Sequence, residues 1–392
     1  MANPVDPNQK VPAPLPLNTR EGKYWLLFAI ALFITGLYRG INLLLLLSYM
    51  LMGLWFVNWR LVRRSTSSLT ALREWRTPVI ANQITDWRVV LQNETEEALR
   101  GFQVSEEIAG KRAFWTVDRL APKGRVYLRE TVAFSHRGRH ALGPLRVITR
   151  FPFGLVQSAL DLPGGQEVLV LPRLGQIKNE LFKSWLSRVS RGEGKTRQRK
   201  PLASLRQANF HGLRQFRPGD SPRWIDWKSS ARRDELIVRE FEDDAPPKLI
   251  LIVEAWLPMT PTVADHRSLE DILSLAGTIC RDWSQDQTSS LQLIVVEQAV
   301  QSRKMSGSAD HAWPLIEMLA PLKGTDKPAQ LQSQLIGRTR QFADSIVVIS
   351  SRANSPLARE AEQLYHRQVA RIDSLENLNW YIQPLEGIGE VN

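Results

Sequence analysis

Apolar residues fill the chain from 24 to 59, and the run is broken only around 38–42. The break leaves two apolar segments, 24–38 and 41–59. A membrane-spanning helix needs about 20 apolar residues, so the first segment is short and the second is adequate. Tyr and Trp side chains stand near the segment ends, as in helices that end in the lipid headgroup layer. The pattern therefore predicts a transmembrane helical hairpin.

Basic residues flank this hairpin on both sides, whereas its turn carries only Arg39. The positive-inside rule places both chain termini, and the domains that follow, on the cytoplasmic face of the inner membrane. A cleaved secretory signal fits poorly, because a second apolar segment follows at once without a small-residue cleavage site. A buried hairpin in a soluble protein is the remaining alternative. Residues 1–23, rich in Pro and Asn, are expected to form a disordered tail.

The patterning changes three times after the hairpin. Residues 60–76 are predicted to be a linker, and residues 77–172 an antiparallel β-sandwich, because short alternating stretches are separated by turn residues. Residues 173–209 combine a basic linker with an amphipathic helix, which apolar residues every four positions predict over 176–190. From 210 to 388 strands and helices alternate, which is typical of a doubly wound, mostly parallel α/β sheet. The predicted fold class is thus multi-domain.

Within the α/β region the pattern predicts four strands and four helices. The strands are expected at 249–253, 291–296, 346–350 and 368–372, and the helices at 268–283, 311–322, 328–341 and 356–366.

Composition narrows the class of protein. The 392 residues are 43% hydrophobic and 23% charged, as in folded globular proteins, and the single Cys280 excludes a disulfide framework and a Cys-based zinc site. The net charge is +11, and residues 183–233 carry fourteen basic against three acidic side chains. Such a balance favours an acidic protein face or anionic lipid. Nucleic acid is disfavoured, because no known binding module accompanies the charge.

The densest stretch of polar and aromatic residues is 213–241, with the sequence LRQFRPGDSPRWIDWKSSARRDELIVREF. A turn is predicted at 218–220, followed by a short helix that starts at Pro222 with Asp220 or Ser221 as its cap. A strand closes the stretch. The whole stretch 213–241 contains no nucleophile beside a base and no set of metal ligands. Its side chains are therefore suited to a contact surface.

This stretch resembles the core of domain-of-unknown-function family 58. A second match lies upstream, where residues 137–144 (RGRHALGP) and 151–155 (FPFGL) are similar to that family's RG-x-x-x-LGP and DPFGL elements, with Phe151 where an Asp is common. The resemblance covers nearly the whole chain. It implies a membrane-anchored protein with a von Willebrand factor A-like domain, acting with a MoxR-type AAA+ ATPase and its client proteins in assembly or maturation of complexes.

The chain departs from that family picture at the metal position. Metal-binding von Willebrand A domains carry Asp-x-Ser-x-Ser after their first strand, which supplies hard oxygen ligands. Here the strand leads into Glu254, and the side chains of Trp256 and Pro258 cannot ligate. Ser350 and Ser351 follow a later strand, where such domains often supply an Asp. We expect a degenerate metal position with a structural Glu254, no bound metal and no cofactor.

The leading hypothesis is a non-enzymatic, membrane-tethered adaptor that docks a partner through the 213–241 stretch. The residues expected to organise that surface are Arg214, Arg217, Asp220, Arg223, Asp226, Trp227, Lys228 and Arg232. Internal pairing, such as Asp226 with Arg232, is an equally simple role for most of them.

Two other hypotheses stay open. The α/β region could bind a ligand or metal at the carboxyl ends of its strands, near Glu254, Glu297 and Ser350. The basic residues of 183–233 could instead contact the membrane surface or another anionic partner.

Overall fold

The computed structural model describes residues 16–65, 69–191, 210–216, 225–241, 248–286, 289–306, 312–331, 345–366, 368–376 and 378–384. The chain divides into two compact units, with the boundary between Arg173 and Leu174. Each unit is described by itself.

The first unit contains a helical hairpin near its amino-terminal end. Helix α1 (Arg20–Arg39) starts where the Thr19 side chain accepts a hydrogen bond from the Gly22 amide, and it ends at Gly40, whose φ of 70° is left-handed. Helix α2 (Asn42–Ser65) follows immediately. Among the helices in the described residues, α2 is the one long and apolar enough over Asn42–Arg63 to cross a membrane. That supports a membrane anchor weakly, by length and composition alone.

The rest of the first unit is rich in antiparallel strands, in agreement with the prediction for this region at that level. Its strands are β1 (Leu17–Asn18), β2 (Leu69–Trp75), β3 (Val79–Ile80), β4 (Ile84–Asn93), β5 (Leu99–Ile108), β6 (Lys111–Leu120), β7 (Arg125–Ala133), β8 (Gly138–Ala141), β9 (Leu145–Thr149), β10 (Val156–Leu162) and β11 (Glu167–Leu171). They form three sheets of order β1-β10-β9-β5-β6, β2-β4-β7 and β3-β11-β8. All pairs are antiparallel except β3 with β11.

Alternating side chains of these strands form one core. Trp87, Val89 and Leu91 of β4 are buried at every second position, as a strand with one buried face requires. The core also encloses an ion pair between Arg73 and Glu106. The Trp87 indole donates a hydrogen bond to Glu106 Oε2 at 3.2 Å. The second guanidinium arm of Arg73 donates to the Gly143 carbonyl at 2.9 Å, so the buried charges are paired and hydrogen-bonded.

Two boundaries predicted from the sequence are wrong. The disordered tail was expected to reach residue 23, but β1 pairs with β10 and α1 already begins at Arg20; residues 1–15 lie outside the described residues. The linker expected at 60–76 is largely occupied by regular structure, because α2 continues to Ser65 and β2 begins at Leu69. Short-range patterns missed both, since partners distant in sequence hold these segments.

The second unit contains a five-stranded sheet flanked by helices. Its elements are β12 (Gln176–Ile177), α3 (Asn179–Arg191), β13 (Phe210–Gln215), α4 (Trp227–Arg233), β14 (Ile237–Phe241), β15 (Lys248–Glu254), α5 (Val263–Trp283), β16 (Ser290–Val296), β17 (Val300–Ser306), α6 (Trp313–Leu319), β18 (Ser345–Ser350), α7 (Pro356–Tyr365), β19 (Ala370–Ile372) and β20 (Tyr381–Ile382). The main sheet has the order β17-β16-β15-β18-β19. Its strands are parallel except β17, an antiparallel edge strand that the sequence did not predict.

The central strands are buried on both faces. Ile250 and Ile252 of β15 pack in one core with Leu357 and Ala361 of α7. Leu251, between them, points to the opposite face, because successive strand residues alternate; α5 and α6 contact the same sheet. The four strand predictions in this region agree with the observed elements. The helix predicted at 328–341 falls mainly outside the described residues.

Helix α3 agrees with the predicted amphipathic helix, but the predicted four-residue spacing through Leu181, Trp185 and Val189 does not mark its most buried side chains. Phe182 and Leu186 are buried, whereas Leu181 is exposed. Phe182 lies 4.6 Å from Trp380 between ring centroids, and Trp185 lies 5.2 Å from the same ring. This aromatic cluster makes α3 an integral part of the second unit. The remainder of the predicted basic linker, from residue 192 to 209, lies outside the described residues.

Candidate functional site

The described residues of the stretch 213–241 form two paired strands and a short helix. Strands β13 and β14 pair antiparallel, and α4 lies between them in the chain. The Asp226 amide donates to the Ile237 carbonyl at 2.8 Å, and Ile225 bridges to Val238. These contacts bind the start of α4 to the start of β14, so α4 has a defined position beside strands β13 and β14.

Asp226 caps α4. Its carboxylate accepts a hydrogen bond from the Ser229 amide at 3.1 Å, which satisfies one of the free amides of the first turn. The buried hydroxyl of Ser230 donates to the Asp226 carbonyl at 2.8 Å and accepts from the Ile237 amide at 2.9 Å. The helix start predicted at Pro222, with Asp220 or Ser221 as its cap, lies outside the described residues. The cap of α4 that the structure shows is Asp226.

The structure separates the predicted docking residues into two groups. Trp227, Lys228 and Arg232 project from α4 into solvent, and the Trp227 side chain is 66% exposed. Lys228 and Arg232 are four residues apart and share one helix face. Asp226 is half-buried and serves the helix terminus. Arg217, Asp220 and Arg223, and the side chain of Arg214, lie outside the described residues.

The second candidate site is the edge of the main sheet where its parallel strands end. Glu254 is the last residue of β15, and its side chain is 1% exposed. Glu254 Oε2 accepts hydrogen bonds at 2.5 Å from the hydroxyls of Ser350, at the end of β18, and of Ser355, before α7. Those hydroxyls in turn accept from the amides of Arg352 and Leu357, at 3.0 and 3.1 Å.

This arrangement connects the buried carboxylate to two backbone segments through hydroxyl groups. Ser355 is the N-cap of α7, with Pro356 at the first helical position. The sequence predicts Glu254 and Ser350 near each other, but not Ser355. The Ser-Pro pair immediately before a periodic helical segment is the signal that could have found it. The partners of the Glu254 carboxylate among the residues that the structure describes are thus hydroxyl donors.

Other side chains at the same edge of the sheet also have partners. Glu297 follows β16, and its Oε1 accepts from the Lys323 and Gly324 amides at 2.8 and 2.9 Å. The guanidinium of Arg352 lies 5.3 Å from the centre of the Trp256 ring. Within the described ranges there is no group of three or more His, Cys, Asp and Glu side chains arranged to hold a metal ion.

The two upstream motifs, LGP and FPFGL, make hydrogen bonds within the first unit. Gly143, in the LGP element, accepts the bond from buried Arg73 described above. The FPFGL element forms the turn between β9 and β10, and its Phe153 amide donates to Asn58 Oδ1 of α2 at 2.9 Å. A cleft of about 780 Å³ lies beside the LGP element and is lined by Glu107, Arg112 and His140 among others.

Fold and site together define a chain with an apolar helical hairpin, a β-rich unit and a second unit built on a mainly parallel sheet. Residues 212–369 match the family described as Protein of unknown function DUF58. A relative, Uncharacterized protein YeaD of Bacillus subtilis (strain 168), is 22% identical over 143 residues. The match covers 36% of this chain and 32% of that relative, about a third of its length. Both findings support the DUF58 family for this chain.

Two solved structures also resemble part of the chain. They are a crystal structure of the CARDB domain of the PF1109 protein from Pyrococcus furiosus, in complex with di-metal ions, and a solution NMR structure of the same domain. The crystal structure is 18% identical, with 26% of this chain and 88% of that domain covered and a TM-score of 0.18. The NMR structure is 16% identical, with coverages of 26% and 95% and a TM-score of 0.17.

Proposed function

We propose that this protein is a non-enzymatic, membrane-tethered adaptor that docks a partner protein through α4. The exposed Trp227 on a capped helix is the observation that carries the proposal. Trp and Arg are the side chains that most often contribute large shares of binding energy at protein interfaces. A large apolar ring held in water by a fixed helix loses that exposure when a partner covers it, and the burial is favourable.

The charge around α4 supports an acidic partner face. Lys228 and Arg232 lie on one side of the helix, and Arg233 follows in its last turn. Basic side chains beside an exposed aromatic ring favour a partner that offers carboxylates around an apolar pocket. By the resemblance to family 58, that partner is a MoxR-type AAA+ ATPase, and the adaptor brings client proteins to it.

The closed edge of the main sheet supports a non-enzymatic role. Ligands of open α/β sheets bind where the parallel strands end, and there the Glu254 carboxylate is occupied by two serine hydroxyls. Glu297 is likewise occupied by two backbone amides. We propose that the second unit is a von Willebrand A-like domain whose metal position has been replaced by this hydrogen-bonded cluster, and that the hairpin holds both units on the cytoplasmic side of the inner membrane.

The test is direct binding of the purified, detergent-solubilised protein to a purified MoxR-type ATPase encoded in the same genome. Trp227→Ala is expected to weaken binding by about 30-fold, which corresponds to about 2 kcal/mol for a central aromatic contact. Lys228→Ala with Arg232→Ala is expected to weaken it mainly at low salt. Asp226→Ala removes the cap and is expected to lower affinity less than Trp227→Ala.

Matched controls separate docking from general effects. Met259→Ala removes another apolar side chain, 83% exposed, from the same unit, and Arg359→Ala removes an exposed positive charge from α7. Neither control is expected to change affinity. Equal binding of Trp227→Ala and wild type would refute docking through α4.

A saturable rise in melting temperature with Mg²⁺, Mn²⁺ or Ca²⁺ that Glu254→Ala abolishes would favour a metal-binding module instead. A matching rise with nucleotides would favour a ligand-binding module.

A further inference from the structure

The turn between β9 and β10 is joined to the base of the helical hairpin, where both helices meet the rest of the chain. We call residues 150–155 the base turn. Thr19, which caps α1, donates its hydroxyl to the Gly154 carbonyl at 2.8 Å. Its amide donates to the Leu155 carbonyl at 3.1 Å. Gly22 lies so close that an added Cβ would stand 1.8 Å from the Leu155 oxygen.

Helix α2 also contacts the base turn. Asn58 of α2 is fully buried and accepts the Phe153 amide, and Val62 packs with Leu155 and Val156 in a small core. Strand β1 adds main-chain pairing between the start of α1 and β10. The base turn is therefore bonded to both helices by hydrogen bonds and buried contacts. These contacts determine at which position along the two helices the turn lies.

The base turn lies at the level where the apolar span of α2 ends. Helix α2 begins at Asn42, and about 20 residues at about 1.5 Å each cross the hydrocarbon core of a bilayer, so the span ends near residue 61. Asn58 lies in the last turn of that span, and the base turn bonded to it lies at the same level. Trp25, Trp55 and Trp59 surround this level and pack against the small core.

The side chains that the base turn leaves in solvent suit a headgroup layer. Phe151 is 41% and Phe153 is 51% exposed, whereas other phenylalanine rings of the same unit are buried in its core. Exposed cations lie at the same helix ends: Arg20 and Lys23 are in the first turn of α1, and the Arg63 guanidinium near the end of α2 lies 5.4 Å from the centre of the Trp59 ring. Aromatic rings beside basic residues are the composition found where proteins contact the membrane interface.

From this juxtaposition we infer that the base turn is a second membrane contact, in which Phe151 and Phe153 enter the headgroup layer of an anionic bilayer beside the helix ends. The inference rests on the membrane anchoring stated under the proposed function. A two-point contact of hairpin and turn fixes the orientation of the β-rich unit on the bilayer surface, which a hairpin with a flexible linker would not do.

The test uses nitroxide labels at introduced cysteines in the full chain, because the native Cys280 is fully buried and does not compete. The protein is reconstituted in vesicles of phosphatidylcholine with about one third phosphatidylglycerol, an anionic lipid. Labels are placed separately at Phe151→Cys and Phe153→Cys, so that each variant keeps the other ring. Phe114→Cys, 68% exposed on β6, is the aqueous control, and Met50→Cys, 61% exposed on α2, is the acyl-chain control.

The measurement is the ratio of label collisions with oxygen to collisions with a water-soluble nickel chelate, which rises with depth. Positions 151 and 153 are expected to give a ratio at least about twofold above position 114 and below position 50. A ratio equal to that at position 114, with position 50 in the acyl region, overturns the inference and leaves the anchoring intact. An aqueous ratio at position 50 refutes the anchoring itself. Melting temperatures of the labelled variants confirm that each is folded.

Discussion

The buried carboxylate of Glu254 offers the sharpest test of how the second unit is stabilised. It connects the end of β15 to the end of β18 and to the first turn of α7 through two serine hydroxyls. If this cluster replaces a ligand site, Glu254→Ala must cost stability in the absence of any added ligand.

The magnitude follows from the bonds lost. A hydrogen bond to a charged group contributes about 1.5–3 kcal/mol, so two of them give roughly 3–6 kcal/mol before relaxation. The variant also avoids the cost of burying a carboxylate, and its two serines keep their backbone donors, so we expect a net loss of about 2–4 kcal/mol in unfolding free energy. Ser355→Ala should cost more than Ser350→Ala, because it removes the cap of α7 as well, worth about 1 kcal/mol.

The assay is hydrogen exchange followed by mass spectrometry on the detergent-solubilised protein, read on peptides from β15, β18 and α7. These peptides report the second unit separately from the hairpin and the β-rich unit. Glu362→Ala, which removes an exposed carboxylate from α7, is the matched control and is expected to be neutral. If Glu254→Ala leaves the protection of β15 and β18 at the level of Glu362→Ala, the structural interpretation of this residue is wrong.

Two further predictions concern the hairpin and the buried thiol. Gly22→Ala places a methyl group against the Leu155 carbonyl and is expected to destabilise the first unit by about 1–3 kcal/mol, whereas Gly53→Ala, with open space around it, should be neutral or slightly stabilising in a thermal melt. Burial raises the pKa of the Cys280 thiol well above its usual range. The unfolded thiol ionises from about pH 8.5 while the folded one stays protonated, so stability should fall as pH rises above that value. Cys280→Ala should lose this decline, and rapid reaction of the native thiol with an aromatic disulfide at pH 8 would contradict its burial.

Local patterns in the sequence determined much of the architecture. The unbroken apolar run of α2, the alternation in β4 and the β-branched strands of the main sheet each reflect burial that is imposed on one segment at a time. Helix α3 shows the limit of that reasoning. Its period was correct, but the buried stripe contains Phe182 and Leu186 because the aromatic cluster around Trp380 selects that face.

The sites were decided by contacts between residues far apart in sequence. Ser355 meets Glu254 across 101 positions, because parallel strands end at one edge of the sheet. The base turn reaches Asn58 across 95 positions. No local pattern encodes such encounters, since each depends on strand order and on the packing of whole elements. The sequence alone thus determined which residues were available, and the tertiary structure determined which of them share a hydrogen bond.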